Sequence, residues 1–360
     1  MTSSHKFFYI ILISLLISCT LGCQKADLSI PDNNITCYAA TYSKGIYKSD
    51  NGGESWYPLA IDQEDLHLYF KRLFINPDNK LLYVGTTGAG IFTIDLKEMS
   101  LNRVESLKGE NIRTVDFYKS TDGQNSLQLI TGTLEHGIYS SQNNSNEWKS
   151  LNRGLTYWDV NTLLVCQQKE IFAGTIKDVF RWNSTSNSWY SVSEGIKNKN
   201  IISLACNSQD GTLYAGAGVY DEVKGLFEKY FGSFPCLYKS TDKGKSWVES
   251  DRGIAEDSLI YDIAVNHKNP ERIYIGTSDG IYLSTNKGKK WSKLEEDLPD
   301  ELRVFDIEII PVAKDKDIVY AATSKGIFAA LDKDDAPWTS MSYGLPQTNI
   351  TSIVLLPGDR

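Results

Sequence analysis

Histidine is scarce in this chain, four in 360 residues, and no two stand at metal-ligand spacing, so no metal site or cofactor is expected. The six cysteines include no C-x-x-C pair, which excludes the usual zinc-ribbon and dithiol redox patterns. Positive charge is never concentrated: 37 Lys and Arg are interspersed with 45 Asp and Glu, and a nucleic-acid partner is therefore not expected. A membrane-spanning run is missing as well. The apolar stretch Phe7 to Ile17 would rise only about 16 Å as a helix, half of a bilayer core, and reads as a secretion signal.

Aromatic residues are plentiful, with 13 Phe, 20 Tyr and 8 Trp, and many recur at fixed offsets. A Gly or its substitute, an apolar residue and an aromatic mark each repeat: Gly45-Ile46-Tyr47, Gly90-Ile91-Phe92, Gly137-Ile138-Tyr139, Asp178-Val179-Phe180, Cys236-Leu237-Tyr238, Gly280-Ile281-Tyr282 and Gly326-Ile327-Phe328. The mean interval is about 47 residues, and strong β propensity at that period points to propeller blades. A strand-like run ending in small residues precedes each marker, and a Trp usually follows eleven residues after it. With a further short strand upstream, each repeat supplies four antiparallel strands. The expected fold is all-β, a single seven-bladed β-propeller over 37–357 behind a short linker, 24–36.

The ends predict how the ring closes. The first repeat opens at Cys37-Tyr38-Ala39-Ala40-Thr41, already its second strand, whereas the chain continues beyond the last repeat to Ile350-Thr351-Ser352-Ile353-Val354. That tail is expected to complete the first blade and remove the open edges.

Three turns share a fuller pattern. They are Ser49-Asp50-Asn51-Gly52-Gly53-Glu54-Ser55-Trp56, Ser240-Thr241-Asp242-Lys243-Gly244-Lys245-Ser246-Trp247 and Ser284-Thr285-Asn286-Lys287-Gly288-Lys289-Lys290-Trp291. Asn51, Asp242 and Asn286 should accept backbone N–H groups, Gly53, Gly244 and Gly288 should take a conformation costly to other residues, and the Trp should bury its ring. These octets resemble the Asp-box of the bacterial-neuraminidase (BNR) repeat. With the Gly-Leu-Pro segment at 344–346 they are similar to the propellers of the photosystem II assembly factor, sortilin-type and xyloglucanase-type families. The resemblance implies fold more than function. A sialidase resemblance would imply an arginine triad and an early Arg-Ile-Pro-like segment, yet no Arg-x-Pro occurs. The xyloglucan enzymes place their acids between two propellers, and this chain has repeats for one.

At the N-terminus, Ser18-Cys19 and Gly22-Cys23 resemble the bacterial lipoprotein processing box. The resemblance implies a signal peptide within 1–22 and lipidation of Cys19 or Cys23. The chain would then sit in the bacterial cell envelope, membrane-anchored through lipid and facing the periplasm or the surface. Cys37, Cys166, Cys206 and Cys236 are read chiefly as buried free thiols, with a disulfide among them left open.

Candidate chemistry is sparse. Asp262 and Asp306 fall at the same place in the first strands of adjacent repeats, with Glu308 two residues on, and Asp116 lies in a similar local pattern. Asp262, Asp306 and Glu308 are weak catalytic candidates; Ser203 and Ser352 hold the position of the two aspartates in other repeats, which favours plain channel lining. The fifth repeat is stretched by about a dozen residues. Its insert carries Tyr220, Phe227, Tyr230, Phe231 and Phe234, candidate binding residues on a loop that must leave the sheet. The expectation is a non-enzymatic protein-binding or assembly propeller; a glycan-binding protein or a glycoside hydrolase using the channel carboxylates is the alternative.

Overall fold

The computed structural model describes residues 35–59, 69–76, 81–119, 127–142, 147–167, 169–197, 200–218, 236–256, 258–313 and 316–357. The leader, both lipidation candidates and the aromatic insert lie outside these residues.

Seven four-stranded antiparallel sheets follow one another in sequence. Their first, innermost strands are Ile350–Leu356, Phe70–Asn76, Ile112–Lys119, Val160–Cys166, Ile201–Cys206, Ile260–Val265 and Val304–Ala313, taken here as blades 1 to 7. Blade 1 joins the two ends of the chain: Ile350–Leu356 pairs antiparallel with Thr36–Thr41, as Cys37↔Leu355, Ala39↔Ile353 and Ala40↔Ser352. The C-terminal strand therefore closes the ring, as the missing first strand predicted.

The hydrophobic core lies between blades. One cluster joins Phe172, Val179 and Val192 of blade 4 to Ala215, Tyr238 and Trp247 of blade 5, and another joins Ile318 and Tyr320 of blade 7 to Cys37, Ala39 and Ile353 of blade 1. Small residues on the second strands allow this approach. A Cβ on Gly174 would lie 2.6 Å from Ile201 of the next blade, a contact no packed core tolerates. The marker glycine has a separate cause, a positive φ of 78–117° at Gly45, Gly90, Gly137, Gly280 and Gly326, and in six blades the carbonyl at this position, Asp178 included, accepts the hydroxyl of a Thr at the end of the second strand. In blade 5 the same pair is Ala217 and Cys236, joined only through the backbone at 2.7 Å.

The three full octets have one geometry. Gly53, Gly244 and Gly288 donate their N–H to Ser49, Ser240 and Ser284 Oγ at 2.8–2.9 Å, and Asn51, Asp242 and Asn286 Oδ1 accept the N–H four residues on at 2.9–3.0 Å. The tryptophan does more than plug its own turn. Trp56, Trp247 and Trp291 donate their indole N–H to the carbonyls of Met341, Val192 and Ser250 in the preceding blade, at 2.6–2.7 Å. Trp189 makes the same bond to Leu151, 2.7 Å, although its octet is degraded. The staple thus does not require a full octet, but Trp is not sufficient for it, since the indole N–H of Trp148 in blade 3 is buried without a hydrogen-bond partner among the described residues.

One expectation is corrected. Cys166 and Cys206 are not free thiols but a disulfide, with Cα atoms 5.7 Å apart, joining the ends of the first strands of blades 4 and 5. Both cysteines close equivalent strands, so ring geometry brings them together across 40 residues of sequence. Cys37 and Cys236 are buried and take part in no disulfide among the described residues; burial pushes the Cys37 thiol up to about 12.

Candidate functional site: the axial channel and its mouth

The seven first strands surround a cavity of about 550 Å³. Strand register fixes which side chains meet there. Opposite a small residue of the second strand stand Arg72, Thr114, Thr162, Ser203, Asp262, Asp306 and Ser352, one from each blade. Asp262 and Asp306 are register mates, as their spacing predicted. Asp116 is not: it lies two residues beyond Thr114, level with Glu308, and these two belong to a deeper ring.

The acids stitch blades together. Asp306, nearly fully buried, accepts the Ser352 hydroxyl at 2.7 Å and the Ile353 N–H at 2.9 Å on Oδ2, and the Arg72 guanidinium at 3.0 Å on Oδ1. Asp262 Oδ2 accepts the Ile307 N–H at 2.9 Å, and Asp116 Oδ2 accepts the Val165 N–H at 3.0 Å. Each acceptor reaches the first strand of the next blade. Arg72, from blade 2, passes over blade 1 to Asp306 of blade 7 and stands 3.9 Å from Asp262 of blade 6.

Burial sets the charge states. Desolvation pushes Asp116 up to about 7, against two backbone N–H bonds and Arg72 that pull the other way. Asp262 and Glu308 are raised by burial and by the negative charge of Asp306, with Arg72 opposing. Arg72 stays charged, held so chiefly by Asp306. A hydrolytic pair needs one carboxyl free to act on substrate. Asp306 spends both oxygens inside the protein. Among the described residues no group of His, Cys, Asp and Glu is arranged to hold a metal ion.

The mouth is built differently. Every first strand carries a bulge just after its opening residue, as between Phe70 and Arg72 or Val304 and Asp306. The extra residue has no ladder partner, and the seven are Lys71, Arg113, Asn161, Ile202, Tyr261, Phe305 and Thr351, all lining the cavity. Tyr261 and Phe305 meet at 5.5 Å between centroids. Beside them the residue before each first strand accepts, through its carbonyl, an N–H from the adjacent turn at 2.9–3.2 Å in all seven blades. This places Tyr42 of blade 1 against Tyr69 of blade 2, rings 4.7 Å apart, with 48% and 46% of their surface exposed.

No pattern in the sequence signals these mouth residues, because the bulge position is defined by pairing and not by residue type. The insert's candidates Tyr220, Phe227, Tyr230, Phe231 and Phe234 lie outside the described residues; Gly218, which precedes the insert, is described. Gly218 bonds Asn200, which stands just before the first strand of blade 5, and Asn200 in turn accepts from Asn161. Gly218 therefore stands beside the mouth.

No family model matches the sequence, and no curated protein matches it. Solved structures do resemble the fold. An ancestral GH74 enzyme aligns with TM-score 0.67 at 16% identity over 86% of this chain and 45% of its own. The GH74 xyloglucanase from Xanthomonas campestris aligns with TM-score 0.64 at 16% identity over 87% and 53%, so this chain spans about half the length of these enzymes. YCF48 bound to D1 peptide aligns with TM-score 0.58 at 13% identity over 85% and 90%. At these identities the likeness is one of fold: the chain is a seven-bladed β-propeller similar in architecture both to glycan-active and to peptide-bound propellers.

Proposed function

We propose that this chain is a glycan-binding propeller that receives a saccharide at the mouth of its channel and does no chemistry on it. The observation that carries the reading is the exposed Tyr42–Tyr69 pair beside the cavity, with Tyr261–Phe305 on its rim. Aromatic faces pack against the C–H faces of sugar rings, and the rim adds Asn349 together with the side-chain oxygens of Asn161 and Thr351, whose donors are taken up within the protein, as acceptors for the ring hydroxyls. The xyloglucanase among the structural neighbours is a precedent for glycan handling on this fold. Asp306, Asp262 and Asp116 are taken up in blade-to-blade bonds, which leaves Glu308, among the described residues, without a second free carboxyl beside it and favours binding over hydrolysis.

A protein partner is the second reading, and the peptide-bound neighbour of similar length favours it. Export to the cell envelope fits either, and the Cys166–Cys206 disulfide supports it, since such bonds persist in oxidising compartments. Intact-mass measurement of the mature chain tests lipidation at Cys19 or Cys23. A glycan array followed by calorimetry tests the main reading. Tyr42→Ala and Tyr69→Ala should each weaken the best glycan by about tenfold, with reducing ends unchanged over time. Capture of a protein with no glycan bound would favour the second reading, and release of new reducing ends would establish a hydrolase.

A further inference from the structure

Two cations at the mouth lack counter-charge. Lys71 and Arg113 occupy the same bulge position in the neighbouring first strands of blades 2 and 3, and both line the cavity. Among the described residues neither forms a salt bridge, and Arg113 Nε is buried without a hydrogen-bond partner. Arg72, one residue on, is by contrast taken up by Asp306 and Asp262. Among the described residues, the mouth of an otherwise acidic protein, net charge −8, therefore carries a local positive surplus.

The negative charge of the channel is segregated from this pair. Asp262 and Asp306 stand one register deeper and Glu308 and Asp116 deeper again, with Arg72 at the boundary. Loss of hydration and the nearby Arg113 and Arg72 hold Lys71 down to about 8, although its side chain opens to the lumen. The charged groups acting on it are the cations Arg113 and Arg72, so a bound anion would relieve their repulsion. Tyr69 lies two residues before Lys71, and Tyr42, stacked on Tyr69, lines the same cavity.

We propose that the mouth selects acidic saccharides, a uronate carboxylate seating on Lys71 and Arg113 while an adjoining sugar ring packs on Tyr42 and Tyr69. This rests on the glycan reading and narrows it. A carboxylate accepts from a guanidinium and an ammonium together, and a neutral sugar uses neither charge.

The test is calorimetry on the full mature chain with a galacturonate or glucuronate oligosaccharide, the same oligosaccharide as its methyl ester, and a poly-glutamate peptide. The acid should bind at least about tenfold tighter than the ester, with the difference shrinking in added salt. Lys71→Gln and Arg113→Gln should each remove most of that difference, weaken the acid far more than the ester, and not lower the melting temperature. Equal binding of acid and ester overturns the uronate inference and leaves the glycan reading standing. Binding of poly-glutamate with no saccharide bound overturns both.

Discussion

The indole N–H of Trp56 donates to the carbonyl of Met341 at 2.7 Å, joining residues 285 positions apart. Tyr320 adds a hydroxyl bond to the Gly52 carbonyl at 2.8 Å across the same seam. This junction is where the ring closes, so it holds the termini more firmly than a single strand pairing would. Deleting residues 347–360, which removes the strand Ile350–Leu356, should abolish a single cooperative melting transition. Calorimetric melting that matched the intact chain would contradict closure as the source of cooperativity.

Backbone contact underlies the staples on the other blades. A Cβ at Gly253 would lie 2.3 Å from the Trp291 carbonyl oxygen, and the residue sits at φ +100°. Gly253→Ala should cost about 2 kcal/mol or more, from strain and displacement of Trp291 together. Chemical denaturation checks it, and an unchanged midpoint would mean the blades slide apart freely.

Asp306 and Asp262 share a register but carry different loads. Asp306→Ala leaves Arg72, the Ser352 hydroxyl and the Ile353 N–H without their acceptor, whereas Asp262→Ala frees one N–H. The first should destabilise by about 3–5 kcal/mol and the second by about 1–2 kcal/mol. Urea titration of both variants measures the gap; equal losses would show that the Arg72 bridge carries no weight.

Glu308 gives the pH dependence its sign. Its folded-state value is raised from 4.5 to about 8 by burial and by the charges of Asp306 and Asp262, so the native chain keeps a proton the unfolded chain has released. Its contribution to stability therefore falls as pH rises from about 4.5 to about 8. Glu308→Gln should leave stability unchanged at pH 4 and raise it by on the order of 1 kcal/mol at pH 9, since the carboxylate is only partly shielded. A denaturation series over that range decides it, and a gain confined to low pH would reverse the assignment.

The disulfide closes a loop of 40 residues between two blades. Cys166→Ser with Cys206→Ser should cost about 2–4 kcal/mol. Reductant should lower the melting temperature of the parent and not of the double variant, which thermal melting reads directly.

How much of this was legible beforehand depended on whether the information was repeated. Seven copies of a marker averaged out local ambiguity, and a missing strand at one end matched a surplus strand at the other, so blade number and closure could be read from the chain. The register of Asp262 with Asp306 was legible because both follow the same apolar pattern, as Ile260 and Val304 show. Asp116 misled, since a valine and a phenylalanine flank it whichever ring it occupies. The Cys166–Cys206 bond was hidden because equivalence under ring symmetry, not sequence spacing, sets their distance. The bulges left no trace either, as any residue type can stand where no partner is required.

That last property bears on how such a mouth changes over generations. A bulged residue has no place in the ladder to keep, so its type is not set by strand pairing, although Asn161 and Thr351 bond carbonyls of the adjacent blades and Tyr261 and Phe305 pack on each other. Lys71, Arg113 and Ile202 are the positions of the ring where exchange would disturb the sheets least, and propellers that share their architecture need share none of their ligands.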